Sequence, residues 1–478
     1  MGYMIETKPY GVYDVVVCGG GTAGVCAAIA SARQGAKTLL VERTFAVGGM
    51  LTIGDAGITK FTEHCKDVDV YKDEVLDVLG ENPRDVQVVG GIAHEFVIRL
   101  IKEGNALGTS GEAGSYVFTD KYEAQLTLIN MLEEAGVEVL YDSRVCLANK
   151  KNGSIESIVV CNKEGFCQIT ATEFIDATGD ADIAALSGVD FVIGASEKDV
   201  EEGCAKEVRQ MQNFGIMYRV RNVNFEKLFD YLEKNPDKYH QNEFGVMSLE
   251  NARKSYEDGE MSVFRFKIEV PGEESLKPVQ VYNLPEKDEA ILLGPFCGYE
   301  GDGLDARSVS RGQEACQRAP HRLNEILKRN IPGFENVKTI FAPDVGVRET
   351  RHIIGEYTLT GVDVLSGKNF NDSIGCGGHP IDIHPIPPEI EDMSMNHWRF
   401  HIPYRIMLSK NVKNLLVTGR CVSATRIASG AIRPTAQCMV MGEAAGIAAA
   451  LAKKHGVDAS EIDINELRKL LEENGAIL

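Results

Sequence analysis

The sequence predicts an α/β chain, in which a mostly parallel sheet carries an antiparallel meander and a second, α+β unit is inserted. Three observations predict it. Residues 13–24, Tyr-Asp-Val-Val-Val-Cys-Gly-Gly-Gly-Thr-Ala-Gly, are a β-branched run entering a glycine-rich turn. Short β-branched runs on either side of Asn152-Gly153 read as a hairpin. Two later apolar runs, 174–179 and 414–419, each stop at a glycine, like strands of a parallel sheet running into loops.

Residues 14–18 are a short β-branched run, apolar after Asp14, as a strand buried on both faces requires. Gly19, Gly21 and Gly24 fit G-x-G-x-x-G, with Thr22 and Ala23 between the last two. In this pattern the first glycine allows a tight turn, the second lets backbone approach a pyrophosphate, and the third packs helix on strand. A helix over residues 25–34 aims its N-terminal amides and positive dipole end at that pyrophosphate. A second strand over 38–41 ends at Glu42, whose carboxylate can accept both hydroxyls of an adenosine ribose. The fingerprint alone is weak. With the strand before it, the helix after it and the acid beyond, it is specific for a Rossmann-like dinucleotide site. A structural glycine turn in some other βαβ unit is the alternative.

A helix is expected over 120–135, with Tyr122, Leu126, Leu128, Ile129 and Leu132 apolar and Gly136 ending it. Strands follow over 137–141, 145–148, 155–161 and 167–172, turning at Asn152-Gly153 and Gly165. The run 174–180 then returns the chain to the parallel sheet, and 181–186 starts a helix. Residues 191–335 change texture, with charged runs and strands over 216–220, 263–270, 279–282 and 290–293. A helix over 307–329 is expected to break or kink at Pro320. The chain rejoins the first unit near residue 340. A strand over 414–420 leads to a helix over 434–454, with Pro434 in its first turn. Gly442, Ala444, Ala445, Gly446 and Ala448 allow that helix to pack closely. Residues 1–190 and 336–478 are therefore expected to form one discontinuous domain, and 191–335 a substrate or cap domain.

The 478 residues suffice for two or three domains, and 44% hydrophobic with 25% charged residues is ordinary for a globular protein. A formal charge of −20 argues against nucleic acid and anionic membranes as partners. Twelve cysteines without a C-x-x-C read as reduced thiols, implying a cytoplasmic protein with neither a disulfide framework nor a metal centre. No signal-like apolar segment opens the chain, and the run 442–452 is too short to span a bilayer.

Several segments together resemble the FAD-dependent oxidoreductases with a glutathione-reductase type of FAD domain. They are Gly48-Gly49-Met50, residues 175–182 (Ile-Asp-Ala-Thr-Gly-Asp-Ala-Asp), 348–357 (Arg-Glu-Thr-Arg-His-Ile-Ile-Gly-Glu-Tyr), 402–405 (Ile-Pro-Tyr-Arg), and Leu415 through Cys421 with Ala444-Ala445-Gly446. The string is distantly similar to fumarate reductase flavoproteins and to the flavin subunit of heterodisulfide reductase. The resemblance implies FAD as cofactor. It implies that Gly19, Gly21, Thr22, Ala23, Gly24 and Glu42 bind the ADP half, with Arg43 along the ribose and Val145 at the adenine. It places Gly48, Gly49 and Met50 near the flavin. Ala177, Thr178 and Gly179 approach the diphosphate, and Gly419 and Arg420 the ribityl and diphosphate region. Many relatives have Asp where Arg420 stands. Arg433, Thr435 and Ala436 fall where the helix over 434–454 meets the flavin, and its N-terminus, near Thr435 to Gln437, is expected to point at the flavin N1/C2=O edge. A helix N-terminus there stabilises negative charge at the N1/C2=O edge of the reduced ring.

Substrate chemistry is less specific. His379 and His384 lie in Gly377-Gly-His-Pro-Ile-Asp-Ile-His-Pro385, where prolines impose extended chain. Asp382 then shares a face with His384, which suits general acid–base work. Structural loop histidines, or a His-Asp-His metal site, are the other readings. Arg348, Arg351, His352, Arg405, Arg426 and Arg433 cluster in the return segment of an acidic chain. They could serve the cofactor, clamp an anionic substrate, or pair with acids. Arg351 and Tyr404 are the further catalytic candidates, Tyr404 being equally a core aromatic. Trp398 could stack in the site or pack, and Cys421 could lie near the flavin. His64 is the histidine placed for covalent attachment. No second nicotinamide-binding unit is visible, Cys65 lacks the partner a redox disulfide needs, and the cysteine runs of iron–sulfur clusters are missing. Hydride transfer between flavin N5 and a small, polar, anionic organic substrate follows, with an unidentified electron donor or acceptor. A flavin monooxygenase or oxidase, or a non-catalytic electron-transfer subunit, are the alternatives. Homo-oligomers, most often dimers, are common for such proteins.

Overall fold

The computed structural model describes residues 6–54, 57–59, 62–64, 85–108, 116–240, 246–270, 276–396 and 399–478. Its main sheet is built around the first strand, Lys8–Cys18, whose Val15, Val16, Val17 and Cys18 have no exposed surface. Thr38–Val41 and Gly165–Asp176 flank that strand in parallel, and Glu138–Leu140 pairs in parallel beyond Thr38–Val41. On the other side, Ser154–Asn162 and Arg144–Lys151 complete an antiparallel meander with the start of Gly165–Asp176. Leu415–Val417 then pairs in parallel with the end of the same strand. The fold is thus an α/β, Rossmann-like sheet with an antiparallel meander.

The two strands expected over 167–172 and 174–180 are one continuous strand, Gly165–Asp176. Nothing in Thr172-Glu173 breaks extended backbone, and the strand simply exchanges an antiparallel neighbour for a parallel one along its length. The helix expected over 120–135 runs Lys121–Glu134, with the Asp120 carboxylate accepting the Glu123 N–H at 3.0 Å as its N-cap.

A five-stranded antiparallel sheet has the order Val263–Phe266, Val279–Asn283, Ala290–Leu293, Tyr218–Arg221, Lys338–Phe341. Its last strand lies past residue 335, where the second unit was expected to end. The long helix Ala306–Asn330 continues through Pro320, contrary to the expected break. Pro320 withholds only its own N–H, and it lies on the buried face with Cys316, Ala319, Leu323 and Leu327. That face is covered by the apolar core of the second sheet, whose packing outweighs one lost hydrogen bond.

Two helices pack on one another beside the main sheet. The first, Thr22–Arg33, follows the first strand; the last long one is Thr435–His455. A Cβ on Gly442 would lie 2.1 Å from Ala23 O, and one on Gly446 would lie 2.2 Å from Ala27 O. The two helices therefore touch backbone to backbone and run the same way. The helix Thr435–His455 is longer than the apolar run 442–452 and is long and apolar enough to cross a membrane, yet 94% of its apolar window is buried inside the protein. It is a core helix here.

Within that helix Glu443 is buried, and its Oε2 accepts the N–H of Ile92 at 2.8 Å. It thereby caps the helix Gly91–Lys102 from a distant part of the chain. Burial pushes its carboxyl up to about 7.

Two outcomes follow. Gly442→Ala should destabilise the protein by about 1–3 kcal/mol in urea denaturation, because the new methyl meets backbone that cannot move alone. Glu443 titrates near 4.5 when unfolded and about 7 when folded. Its contribution to stability is therefore fullest below pH 4.5 and falls as pH rises through 7. Glu443→Gln keeps an oxygen for Ile92 and removes this slope. Its advantage over the parent should grow across that window towards ~3 kcal/mol, read as unfolding free energy against pH.

Candidate functional site

The glycine turn is assembled from segments far apart in sequence. Gly19 N–H donates to Val41 O (2.8 Å), Ala177 N–H to Cys18 O (2.8 Å), and Gly48 N–H to Gly20 O (2.7 Å). Gly48 bridges to Gly21, and a Cβ on Gly49 would lie 3.0 Å from Gly21 Cα. A Cβ on Gly24 would lie 1.8 Å from Gly19 O, so glycine is required to close the turn. A Cβ on Gly21, by contrast, would meet no atom within 4 Å. Gly21 faces open space. It is also the N-cap of the first helix, with no side-chain cap, and Thr22, Ala23 and Gly24 precede the first intrahelical bond, Val25 N–H to Gly21 O (2.9 Å). Space in front of such amides fits an anionic pyrophosphate.

Glu42 stands beside the turn. Its Oε2 accepts Gly20 N–H (2.5 Å), and its Oε1 accepts the N–H (2.7 Å) and hydroxyl (2.8 Å) of Thr44. The carboxylate ties the turn to its own loop, and a ribose hydroxyl would share its remaining lone pairs. Arg43 is exposed. Ser143 N–H donates to Glu42 O (2.9 Å), which brings the half-buried Val145 to the same corner. Met50 folds onto Gly346 of the return segment, where a Cβ would lie 2.8 Å from its Cε.

At the end of the strand Gly165–Asp176, Asp176 accepts from Thr178 Oγ1 (2.7 Å) and from Ala184 N–H (2.9 Å). Burial lifts its carboxyl to about 6. Arg420 Nη2 donates to Asp180 Oδ1 (2.6 Å), which also accepts the Thr350 hydroxyl (2.7 Å). Burial alone would raise Asp180, but the Arg420 charge outweighs it and holds the carboxyl below its ordinary range. Arg420, expected on phosphate, thus has a carboxylate partner beside Gly179, while its Nε is buried with no protein partner. Gly419 approaches Ala23, whose Cβ is 3.4 Å from where its own would stand.

The last helix also opens without a side-chain cap, Thr435 and Ala436 preceding its first bond, Cys438 N–H to Pro434 O (3.0 Å). Thr435 Oγ1 reaches Gly57 O at 3.4 Å, and Ala436 is fully buried. From the Gly442–Ala23 contact, this helix begins on the order of 10 Å further out than the first one. Two uncapped N-termini thus stand side by side, staggered along the common axis.

Beside them lies the histidine loop. Arg433 Nη2 donates to Asp382 Oδ2 (2.6 Å) and Asp382 O (2.8 Å). His384 Nε2 is 3.4 Å from Asp382 Oδ1. Burial would raise the Asp382 carboxyl, but Arg433, followed by His384, Arg348 and His379, holds it well below the carboxylate range. His379 Nδ1–H donates to Pro380 O (2.6 Å), which leaves the neutral ring's lone pair on Nε2. His384 N–H donates to Gln212 Oε1 (2.9 Å). Gln212 N–H donates to Glu349 Oε2 (2.8 Å), and that oxygen also pairs with Arg426.

Other expected site residues have protein partners. Arg433 is bonded to Asp382, because the helix Arg426–Ile432 carries it to the 380s loop. Arg351 pairs with acids, donating to Asp180 O (2.8 Å) and Asp182 (3.0 Å). Tyr404 is a core aromatic. Its hydroxyl donates to Ala459 O (2.8 Å), and burial raises it well beyond useful proton transfer. Cys421 is buried and its thiol is pushed well up, so it is inert. The described cysteines are all free thiols. Trp398, Cys65 and the side chain of His64 lie outside the described residues. Sequence reasoning missed Gln212 and Glu349. Gln212 carries no local motif, and Glu349, although within the 348–357 segment, meets Arg426 only through the fold. Among the described residues no group of three or more His, Cys, Asp or Glu side chains could hold a metal.

A family model described as FAD dependent oxidoreductase matches residues 14–471. A digeranylgeranylglycerophospholipid reductase from Thermoplasma acidophilum is 25% identical over 183 residues, which are 38% of this chain and 43% of that relative. The chain thus matches less than half of that relative's length. Two solved structures are similar in chain path. A geranylgeranyl bacteriochlorophyll reductase-like protein from Thermoplasma acidophilum has TM-score 0.44 and 15% identity, over 97% of this chain and 84% of that one. The p-nitrophenol 4-monooxygenase PnpA from Pseudomonas putida DLL-E4 has TM-score 0.43 and 11% identity, over 98% and 86%.

Gly21 has φ −67°, which any residue adopts, and open space in front of it. Gly21→Val should therefore leave the stability of the cofactor-free protein within about 0.5 kcal/mol. Its FAD affinity, followed by flavin fluorescence, should fall at least about tenfold, because the side chain fills the pyrophosphate space.

Proposed function

The chain belongs to the FAD-dependent oxidoreductase family, FAD is its cofactor, and from that premise we propose hydride transfer between flavin N5 and a small, polar, anionic organic substrate. The observation that carries this reading is the Arg433–Asp382–His384 array beside the uncapped start of the last helix. When bound, FAD supplies the two-electron centre. The rest is the work of this chain's residues. The glycine turn and the amides of Thr22 and Ala23 hold the diphosphate. The amides at Thr435 and Ala436, with the helix dipole behind them, stabilise negative charge on the reduced ring edge.

Asp382 stays ionised because Arg433 sits on one oxygen, and its other oxygen orients His384. His384 is exposed enough to meet a substrate, and moves the proton that accompanies the hydride. His379, with its lone pair on Nε2, is the second acid–base candidate on the same loop. Arg348 donates from Nη1 to Asn213 O at 2.6 Å, and its remaining donors suit a substrate carboxylate. Gly215 leaves room for that guanidinium, since a Cβ there would lie 2.6 Å from Nη1.

The test is to load the protein with FAD and add carboxylic acids, amines and polyols without oxygen. Bleaching by a carboxylate class supports the reading. Bleaching by uncharged compounds alone overturns the anion assignment. With the active compound in hand, Asp382→Asn should lower turnover by about 10²–10⁴-fold, the usual worth of acid–base catalysis. Its FAD content should match the parent's, because Asp382 touches none of the turn residues.

A further inference from the structure

Gln212 lies in the segment that leads out to the second sheet, and its side chain is buried. Its Oε1 accepts the backbone N–H of His384 at 2.9 Å, across 172 residues of chain. Its Nε2 is buried with no partner among the described residues. An unpaired buried donor costs more than one such bond returns. Stability therefore does not explain a glutamine here.

The residue it holds does. The His384 side chain is 66% exposed, so packing does little to fix the ring, which stands 3.4 Å from Asp382 Oδ1. Asp382 is anchored on the helix Arg426–Ile432. Its N–H donates to Gly430 O at 3.3 Å, and Arg433 at the helix end holds its carboxylate. His384 is anchored from the other end of the same helix. Arg426 pairs with Glu349 Oε2, and that oxygen accepts Gln212 N–H at 2.8 Å. Arg426 also donates from Nε to Cys204 O at 3.0 Å and from Nη1 to Gln210 O at 2.9 Å, which fixes the 204–212 segment on it. One helix of seven residues, about 10 Å long, thus sets Asp382 from one end and His384 from the other.

We infer that Gln212 is a positioning residue for His384, and that Glu349 and Arg426 act on the histidine through it. This rests on the acid–base reading of His384 above and adds the residues that aim it. Without the Gln212 oxygen the histidine is free to turn away from Asp382, while Arg433 keeps the carboxylate in place. Misplacing a reacting group by an ångström costs up to about a hundredfold in rate.

The test is Gln212→Met in the full chain loaded with FAD, a change that keeps the stem and removes the acceptor. Hydrogen exchange of the peptide that contains the His384 amide, read by mass spectrometry, should quicken about tenfold at that amide. The melting temperature should not fall. With the compound that bleaches the flavin in hand, kcat should drop about 10–100-fold. KM should hold, because Gln212 N–H stays on Glu349 and keeps the Asn213 carbonyl under Arg348. In a His384→Ala background Gln212→Met should bring no further loss of kcat. Exchange and kcat at the parent's values, or an equal loss of kcat in both backgrounds, overturns the inference. His384→Ala with the parent's kcat overturns the acid–base reading instead, and the exchange rate then still decides whether Gln212 anchors the loop. Should Gln212→Met fail to fold by circular dichroism, Gln212→Asn, too short to reach the amide, carries the same comparison.

Discussion

The contact between Gly442 and Ala23 governs the arrangement of everything around the turn. Because the two helices meet backbone to backbone through Gly442 and Gly446, their relative position along the common axis is set by close packing. That position decides how far the start of the last helix projects beyond the start of the first. One N-terminus then stands at the glycine turn and the other beyond it, on the side of the histidine loop. Side chains larger than hydrogen at these positions would separate the helices and lose that alignment.

Around this pair the chain places charges where burial makes them expensive, and matches each with a partner. Asp180 meets Arg420, Glu349 meets Arg426, and Asp382 meets Arg433. Such pairs do little for net stability, since desolvation offsets much of the attraction, but losing one partner leaves an uncompensated charge. Each pair joins segments remote in sequence. Arg426 and Arg433 stand at the two ends of one short helix that leads straight into Thr435–His455. The 204–212 segment, Glu349 and the histidine loop are thereby all tied to the element that opens at Thr435.

Local rules made part of this legible in advance. The strand over 38–41 was readable to the residue, because a buried parallel strand must be apolar throughout and Glu42 must stop it. The Asn152-Gly153 turn was readable because both residues take positive φ, 53° and 84°, which few other residues tolerate. The path through Pro320 and the joining of 167–172 to 174–180 were misread, because each depends on neighbours supplied from elsewhere. Pro320 is tolerated by the core beneath it. The strand Gly165–Asp176 is held straight by Lys8–Cys18 along most of its length.

The sequence by itself determined the kind of chemistry, since a glycine at a given spacing, an acid after a strand and an apolar run are local properties of the chain. Tertiary structure alone decided the partners. Arg433 could have faced phosphate, substrate or a carboxylate, and the rotation of one helix gave it to Asp382. Tyr404 could have moved protons, and the core that closes over it made its hydroxyl a donor to Ala459. The physical reason is common to both. Charge, protonation and hydrogen bonding are set by what lies within a few ångströms, and those neighbours come from distant parts of the chain.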